Sequence, residues 1–202
     1  MFYSQSGQDA WVAKLLEYKR DGYFLEIGAW DGIATSNTYF FETELGWKGI
    51  CVEAKAEPFG LLQKNRSSIN VNAAISDYDG TCHFGEFRIE RSGVPTVCMT
   101  LDTLLERHHA PAAIDYLSLD IEGSEYQALL GLDLGKWDIS VMTIEHNVYF
   151  AGPANKDRIF DLLSNNGYVR VIDDAKCLDD TDARWFNQPY EDWYVSKRFL
   201  ER

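Results

Sequence analysis

Positive charge is scarce in this chain. Its 202 residues carry 19 lysines and arginines against 32 aspartates and glutamates, a formal net charge of −13 and a pI near 4.6. An acidic surface repels phosphate backbones and anionic lipid, which argues against nucleic-acid and membrane partners. Cysteine is sparse too: Cys51, Cys82, Cys98 and Cys177 are scattered with no C-x-x-C pair. That spacing argues against a zinc site and suits reduced thiols in a cytoplasm. No segment has the roughly 20 apolar residues a membrane helix needs, and Met1 to Gln5 lack a basic leader pattern. A cytoplasmic location is therefore expected. Repeats, low-complexity tracts and proline-rich linkers are missing, and so is G-x-G-x-x-G, the glycine pattern that cradles a pyrophosphate.

What is present is a core. Hydrophobic residues make up 46% and aromatics 14% of the chain, enough to fold residues 1–202 as a single domain. Apolar runs ending in turn signals alternate with helical patterns. Strands are expected at Tyr23–Ile27, Ile50–Glu53, Asn70–Ile75, Asp115–Asp120, Ile139–Glu145, Tyr168–Ile172 and Trp193–Lys197. Helices are expected at Gln8–Lys19, after Thr35 or Ser36, from Pro58 to about Asn65, and at Asp102–Arg107, Glu125–Leu130 and Asn155–Asn166. Asp79-Gly80 signals a hairpin, so residues 81–99 read as an antiparallel insertion. The fold class is α/β: a mostly parallel, Rossmann-like sheet with an antiparallel C-terminal edge strand.

Such sheets bind ligands at the carboxyl ends of their strands. Glu26, Glu53, Asp120 and Glu145 fall at or near strand ends. The turn after the first strand reads Gly28-Ala29-Trp30-Asp31-Gly32. Strand, glycine turn, helix, strand and acid together suit an adenosine cofactor, with Glu53 on the ribose hydroxyls. Carboxylates at Glu26 and Asp31 would repel a pyrophosphate and suit a cation. S-adenosyl-L-methionine, with its sulfonium and ammonium, fits better than NAD.

The ordered blocks Ser4-Gln5-Ser6-Gly7-Gln8-Asp9, Phe24 to Gly32, Val52-Glu53-Ala54, Ala73 to Ser76, Thr100 to Leu104 and Leu117 to Glu125 resemble the FkbM-type methyltransferases. The resemblance spans residues 3 to about 146. It implies a class I methyltransferase fold and methyl transfer, most often to oxygen, on sugars and other small hydroxylated metabolites. It further implies that Glu26, Gly28, Asp31 and Gly32 hold the methionine part of the cofactor. Glu53 and Ala54 would hold the ribose, and Ala73 and Ala74 would line the adenine. Asp120 to Glu125 would face the methyl group and the acceptor. Gln5 or Gln8 is a further cofactor contact, although Ser6-x-x-Asp9 also fits a capping box for the first helix.

Methyl transfer to a hydroxyl needs alignment and removal of a proton. In one expectation His146 is the general base, oriented by Asp120 or Glu122, which would share a face on an extended strand. In another, Asp120, Glu145 and His146 hold a divalent cation. In a third, these residues only finish a strand and start a helix. Among the other polar and aromatic features, His83 and the pair His108-His109 read as surface. Trp185, Phe186, Tyr190 and Trp193 read as packing or as a sugar platform. Asp173, Asp174, Asp179, Asp180 and Asp182 read as a solvated loop. An NAD-dependent oxidoreductase and a non-catalytic binding protein are the competing functions.

Overall fold

The structure, a computed structural model, describes residues 1–86, 88–178 and 186–201. Along the chain come α1 (Gln8–Leu15), β1 (Tyr23–Ile27), α2 (Tyr39–Leu45), β2 (Lys48–Val52), α3 (Ala56–Asn65), β3 (Ile69–Val71), β4 (Ala74–Ile75) and β5 (Gly80–Phe84). Next are β6 (Ile89–Glu90), β7 (Val94–Met99), α4 (Leu101–Arg107), β8 (Ala113–Leu119), α5 (Glu125–Leu130) and β9 (Asp138–Glu145). The last are α6 (Val148–Ala151), α7 (Ala154–Asn165), β10 (Tyr168–Lys176), β11 (Pro189–Ser196) and α8 (Lys197–Leu200).

Seven strands form the central sheet in the order β10-β11-β9-β8-β1-β2-β3. β1 pairs in parallel with β2 and β8, and β8 with β9. Both faces of β1 are covered, which is why its run is almost continuously apolar. Leu25 and Ile27 pack with Ile50, Leu117, Leu119 and Ile144 on one face. Phe24 packs with Val12, Phe41, Trp47 and Tyr116 on the other.

Four expectations are corrected. First, the reversed strand is β11, which lies inside the sheet between β9 and the edge strand β10 and is antiparallel to both. Second, the run Asn70–Ile75 splits. Ile69–Val71 stays in the main sheet, while Ala74–Ile75 leaves it to pair with β7 in a four-stranded sheet, β4-β7-β5-β6. Asp79 fastens that insertion to α4, since its carboxylate accepts from Thr100 N at 2.9 Å and Thr103 Oγ1 at 2.7 Å. Third, the capping box does not form. Ser6 Oγ turns to Lys176 O and Tyr190 Oη instead, and Asp9 accepts from Tyr3 N, Ser4 N and Ser4 Oγ. Fourth, α1 stops short of Lys19, because Glu17 and Tyr18 take left-handed φ of 51° and 54°. Among the described residues no helix is long and apolar enough to cross a membrane.

Candidate active site

β1, β2, β8 and β9 end on one edge of the sheet, and a cavity of about 400 Å³ opens there. Gly28 and Trp30 follow β1, Glu53 to Lys55 follow β2, Asp120 to Glu122 follow β8, and Glu145 closes β9. The turn at Gly28 needs glycine on two counts. Its φ is +90°, and a Cβ there would lie 1.8 Å from Asp120 O. Gly28 N and Ala29 N both donate to Val52 O at 2.9 Å, so the loop after β1 is pinned against the end of β2.

Glu53 organises one half of the cavity. Its Oε2 accepts from Trp30 N at 3.0 Å and its Oε1 from Lys55 N at 2.7 Å. Each oxygen keeps acceptor capacity for a ligand hydroxyl. Burial raises its pKa above 4.5, against the pull of those hydrogen bonds. Ala54, Ala73, Ala74 and Ile75 add a small-residue apolar wall. A carboxylate beside an apolar slot fits a ribose and an adenine.

The other half is crowded with acids. Asp120, Glu122 and Glu145 bring an oxygen each within 4.8 Å of one another. Glu145 Oε2 accepts from Glu122 N at 3.0 Å, and Asn147 Nδ2 donates to Glu122 Oε2 at 3.4 Å. Behind them Glu125 accepts from Ile121 N, Gly123 N and Asn155 Nδ2. Burial, then the charge of Glu122, pushes Asp120 up to about 7. Burial and Asp120 raise Glu145 well above the carboxylate range, and they lift the fully buried Glu191 to about 8. So much buried negative charge calls for a cation or for protons. Asp120 and Glu122 meet here for a reason other than strand alternation. β8 ends at Leu119, and left-handed φ values of 57° at Glu122 and 105° at Gly123 fold the chain back.

Gly28, Glu53, Ala54, Ala74, Asp120, Glu122 and Glu145 line this one cavity. Five other expected site residues do not. Glu26 stands one position before the end of β1, so alternation sends its side chain to the opposite side of the strand. There its carboxylate accepts from Ser36 Oγ, Asn37 N, Thr38 Oγ1 and Arg66 Nη1 at 2.7 to 3.0 Å. Asp31 Oδ1 accepts from Ile33 N and Ala34 N and holds the turn. Gly32 packs against Leu62 and Arg66. Gln8 is buried with both ends of its amide engaged, on Ser6 N, Tyr190 Oη and Glu191 Oε2; Gln5 lines the cavity in its place.

His146 is the fifth. It follows Glu145 directly and faces the other way. Its Nδ1 accepts from Val148 N at 3.2 Å, which leaves the ring proton on Nε2. Nε2 lies 3.3 Å from Asp192 Oδ1 and 3.5 Å from Asp174 Oδ1. The expected trio of Asp120, Glu145 and His146 is therefore divided between two clusters, and His146 is not placed to take a proton in the cavity. Asp173 and Asp174 lie on the edge strand β10 and not in a loop; their side chains stay about half exposed to solvent and pair with Lys156 Nζ at 2.6 and 2.7 Å. Asp179, Asp180, Asp182 and Trp185 lie outside the described residues.

His83 and His109 are exposed, and His108 is partly so. Trp193 packs on Trp11 at 4.7 Å, whereas Tyr190 reaches the cavity wall. Trp30, Tyr149 and Glu191 went unsingled by sequence reading. Trp30 sits inside the diagnostic turn and could have been found there. Tyr149 carries no motif and reaches the cavity only through tertiary packing, and Glu191 is buried on β11 against Gln8 and Trp193.

Residues 26–170 match a family model described as "Methyltransferase FkbM domain". An O-methyltransferase from Bacillus cereus, solved with S-adenosylhomocysteine, superposes with a TM-score of 0.53 at 14% identity; the match covers 94% of this chain and 80% of that one. A precorrin-6y C5,15-methyltransferase from Geobacter metallireducens gives 0.52 at 12% identity, covering 93% and 88%. A candidate RNA methyltransferase from Pyrococcus horikoshii gives 0.51 at 12% identity, covering 95% and 82%. At such identities the likeness establishes the fold alone. A search of curated proteins returns no match.

Proposed function

We propose, from the premise that this chain belongs to the methyltransferase FkbM domain family, that it methylates a hydroxyl of a small molecule such as a sugar. As an S-adenosylmethionine-dependent methyltransferase by family and fold, it draws on a cofactor that supplies an electrophilic methyl group when bound. The observation that carries the reading is the two-ended cavity: a carboxylate and small apolar side chains at one end, an acid triad at the other.

In this reading Glu53 accepts the ribose hydroxyls, and Ala54, Ala73 and Ala74 flank the adenine. Gly28 lets the backbone come close, and Asp120 faces the positive charge of the methionine portion. Glu26, Asp31 and Gly32 act at one remove, holding the turn that carries Gly28. Glu122 and Asp120 take up the proton that leaves the acceptor hydroxyl at their carboxylate oxygens. Tyr149, Gln188 and Ser124 add hydrogen-bonding groups on the acceptor side. The acid-rich wall disfavours a pyrophosphate, and with it NAD.

Calorimetry separates the alternatives. S-adenosylmethionine and S-adenosylhomocysteine should bind and NAD should not, and Glu53→Gln should weaken S-adenosylhomocysteine by about tenfold, the worth of a hydrogen bond to a charged group. No binding of either sulfur ligand overturns the reading. Screening hydroxylated acceptors, sugars included, should then give a methyl ether; a methyl on nitrogen or carbon refutes the oxygen assignment.

A second reading places a divalent cation on Asp120, Glu122 and Glu145, whose oxygens have the hard character magnesium or manganese prefers. Exhaustive dialysis against a chelator decides it. Turnover within about twofold of the untreated enzyme supports proton transfer to carboxylate alone, while a loss of roughly 10²-fold or more that manganese restores supports the metal.

A further inference from the structure

Trp30 combines three unusual features. Its backbone is left-handed, with φ +48°, a conformation bulky side chains rarely adopt. Its indole is 45% exposed although it lines the cavity. The Lys55 ammonium lies 5.2 Å from its ring centroid. Glu53 accounts for the arrangement, because one of its oxygens accepts from Trp30 N and the other from Lys55 N. The same carboxylate therefore fixes both members of a clasp that joins the loop after β1 to the loop after β2. Strain of this kind persists where the surroundings impose it, and it gathers at ligand sites.

We propose that Trp30, backed by Lys55, is the aromatic cover of the cofactor's adenosine end, with the indole face stacking on the nucleoside whose ribose meets Glu53. This rests on the reading of the cavity as an S-adenosylmethionine site, and it adds a binding residue to that site. The indole face is sequence-tolerant π surface and suits a purine. Lys55 on the ring holds it in place across the rim. An exposed tryptophan in a strained turn would otherwise cost stability and hold nothing.

Calorimetry with two probes tests the proposal: S-adenosylhomocysteine, and 5′-methylthioadenosine, which keeps the adenosine and lacks the amino-acid part. Trp30→Gly is the main variant, since glycine relaxes the left-handed turn and removes the ring. Its melting temperature should equal or exceed that of the unsubstituted protein. Its affinity for both probes should fall by the same factor, about 10- to 100-fold. Trp30→Phe should retain most of the affinity, losing roughly threefold. Affinity unchanged in Trp30→Gly overturns the proposal, as does a loss confined to S-adenosylhomocysteine. If the unsubstituted protein binds neither probe, the cofactor reading falls and this one with it; if it binds and only the Trp30 result fails, the cofactor reading stands.

Discussion

Asp120→Asn should leave the protein folded and almost inactive. Asp120 lines the cavity, its carboxylate clustered with those of Glu122 and Glu145, where positive charge and a departing proton are both received in the proposed reaction. Asparagine keeps the shape and loses the charge and the proton-accepting oxygen. Removing one positioned proton acceptor costs roughly 10²–10⁴ in rate, so kcat on an acceptor found by screening should fall by that amount. Stability should move the other way or hardly at all, because Asp120 is one of several buried acids that repel one another. A thermal melt that is level or higher, with kcat lost and S-adenosylhomocysteine affinity within about tenfold, is the expected pattern. His146→Ala is the informative partner, since its ring is turned to Asp192 and Asp174. It should keep kcat within severalfold. Full activity in Asp120→Asn, or complete loss in His146→Ala, would reverse the assignment.

Arg66→Met should do the opposite, harming the fold more than the chemistry. The Arg66 side chain is wholly buried and donates to Glu42 Oε2 at 2.7 Å, Glu26 Oε2 at 2.9 Å and Thr38 Oγ1 at 2.8 Å, with longer contacts to Gly32 O and Ser36 Oγ. Removing one partner of a buried pair strands the other's charge, at a cost of about 3–5 kcal/mol. For a domain of this size that lowers the melting temperature by about 6–20 °C. Glu26→Gln combined with Arg66→Met should recover part of the loss, since no uncompensated charge then remains at Glu26. The cluster also carries a pH signature. Burial opposes ionisation of Glu42, but Arg66 and Ser67 outweigh it and hold its pKa below the ordinary 4.5. A lowered carboxyl stabilises above its unfolded pKa, and that contribution drains away as pH falls through the folded value. Acid denaturation should therefore begin at lower pH in the unsubstituted protein than in Arg66→Met. A melting temperature unchanged by Arg66→Met would show that the buried network is dispensable.

The two substitutions mark where sequence reading reached its limit. Glu26 and Asp120 both looked like acids at strand ends, and nothing in their immediate neighbours separates them. Glu26 lies inside β1, where its carboxylate is enclosed by Ser36, Asn37, Thr38 and Arg66, whereas Asp120 lies beyond the end of β8, where the cavity opens. Adjacent Glu145 and His146 diverge because neighbouring side chains at a strand end alternate, and they join different clusters. The split of Asn70–Ile75 between two sheets was also hidden, since its residues suit either partner and only β7, more than 20 positions later, claims Ala74 and Ile75.

The sequence by itself determined the class of the protein: alternating apolar runs and helical patterns, a glycine turn followed by an acid on the next strand, and too many carboxylates for a phosphate ligand. Those features are local in the chain, and periodicity and charge report them directly. Only the tertiary structure decided which acids face the cavity, that His146 faces away from it, that β11 slips between β9 and the edge strand, and that Trp30 is braced by Lys55 over the site. Each of these depends on register and on segments far apart in sequence meeting in space, which no local pattern encodes. The glycine turn pointed to the cofactor class, and the packing around it chose the residues that line the cavity.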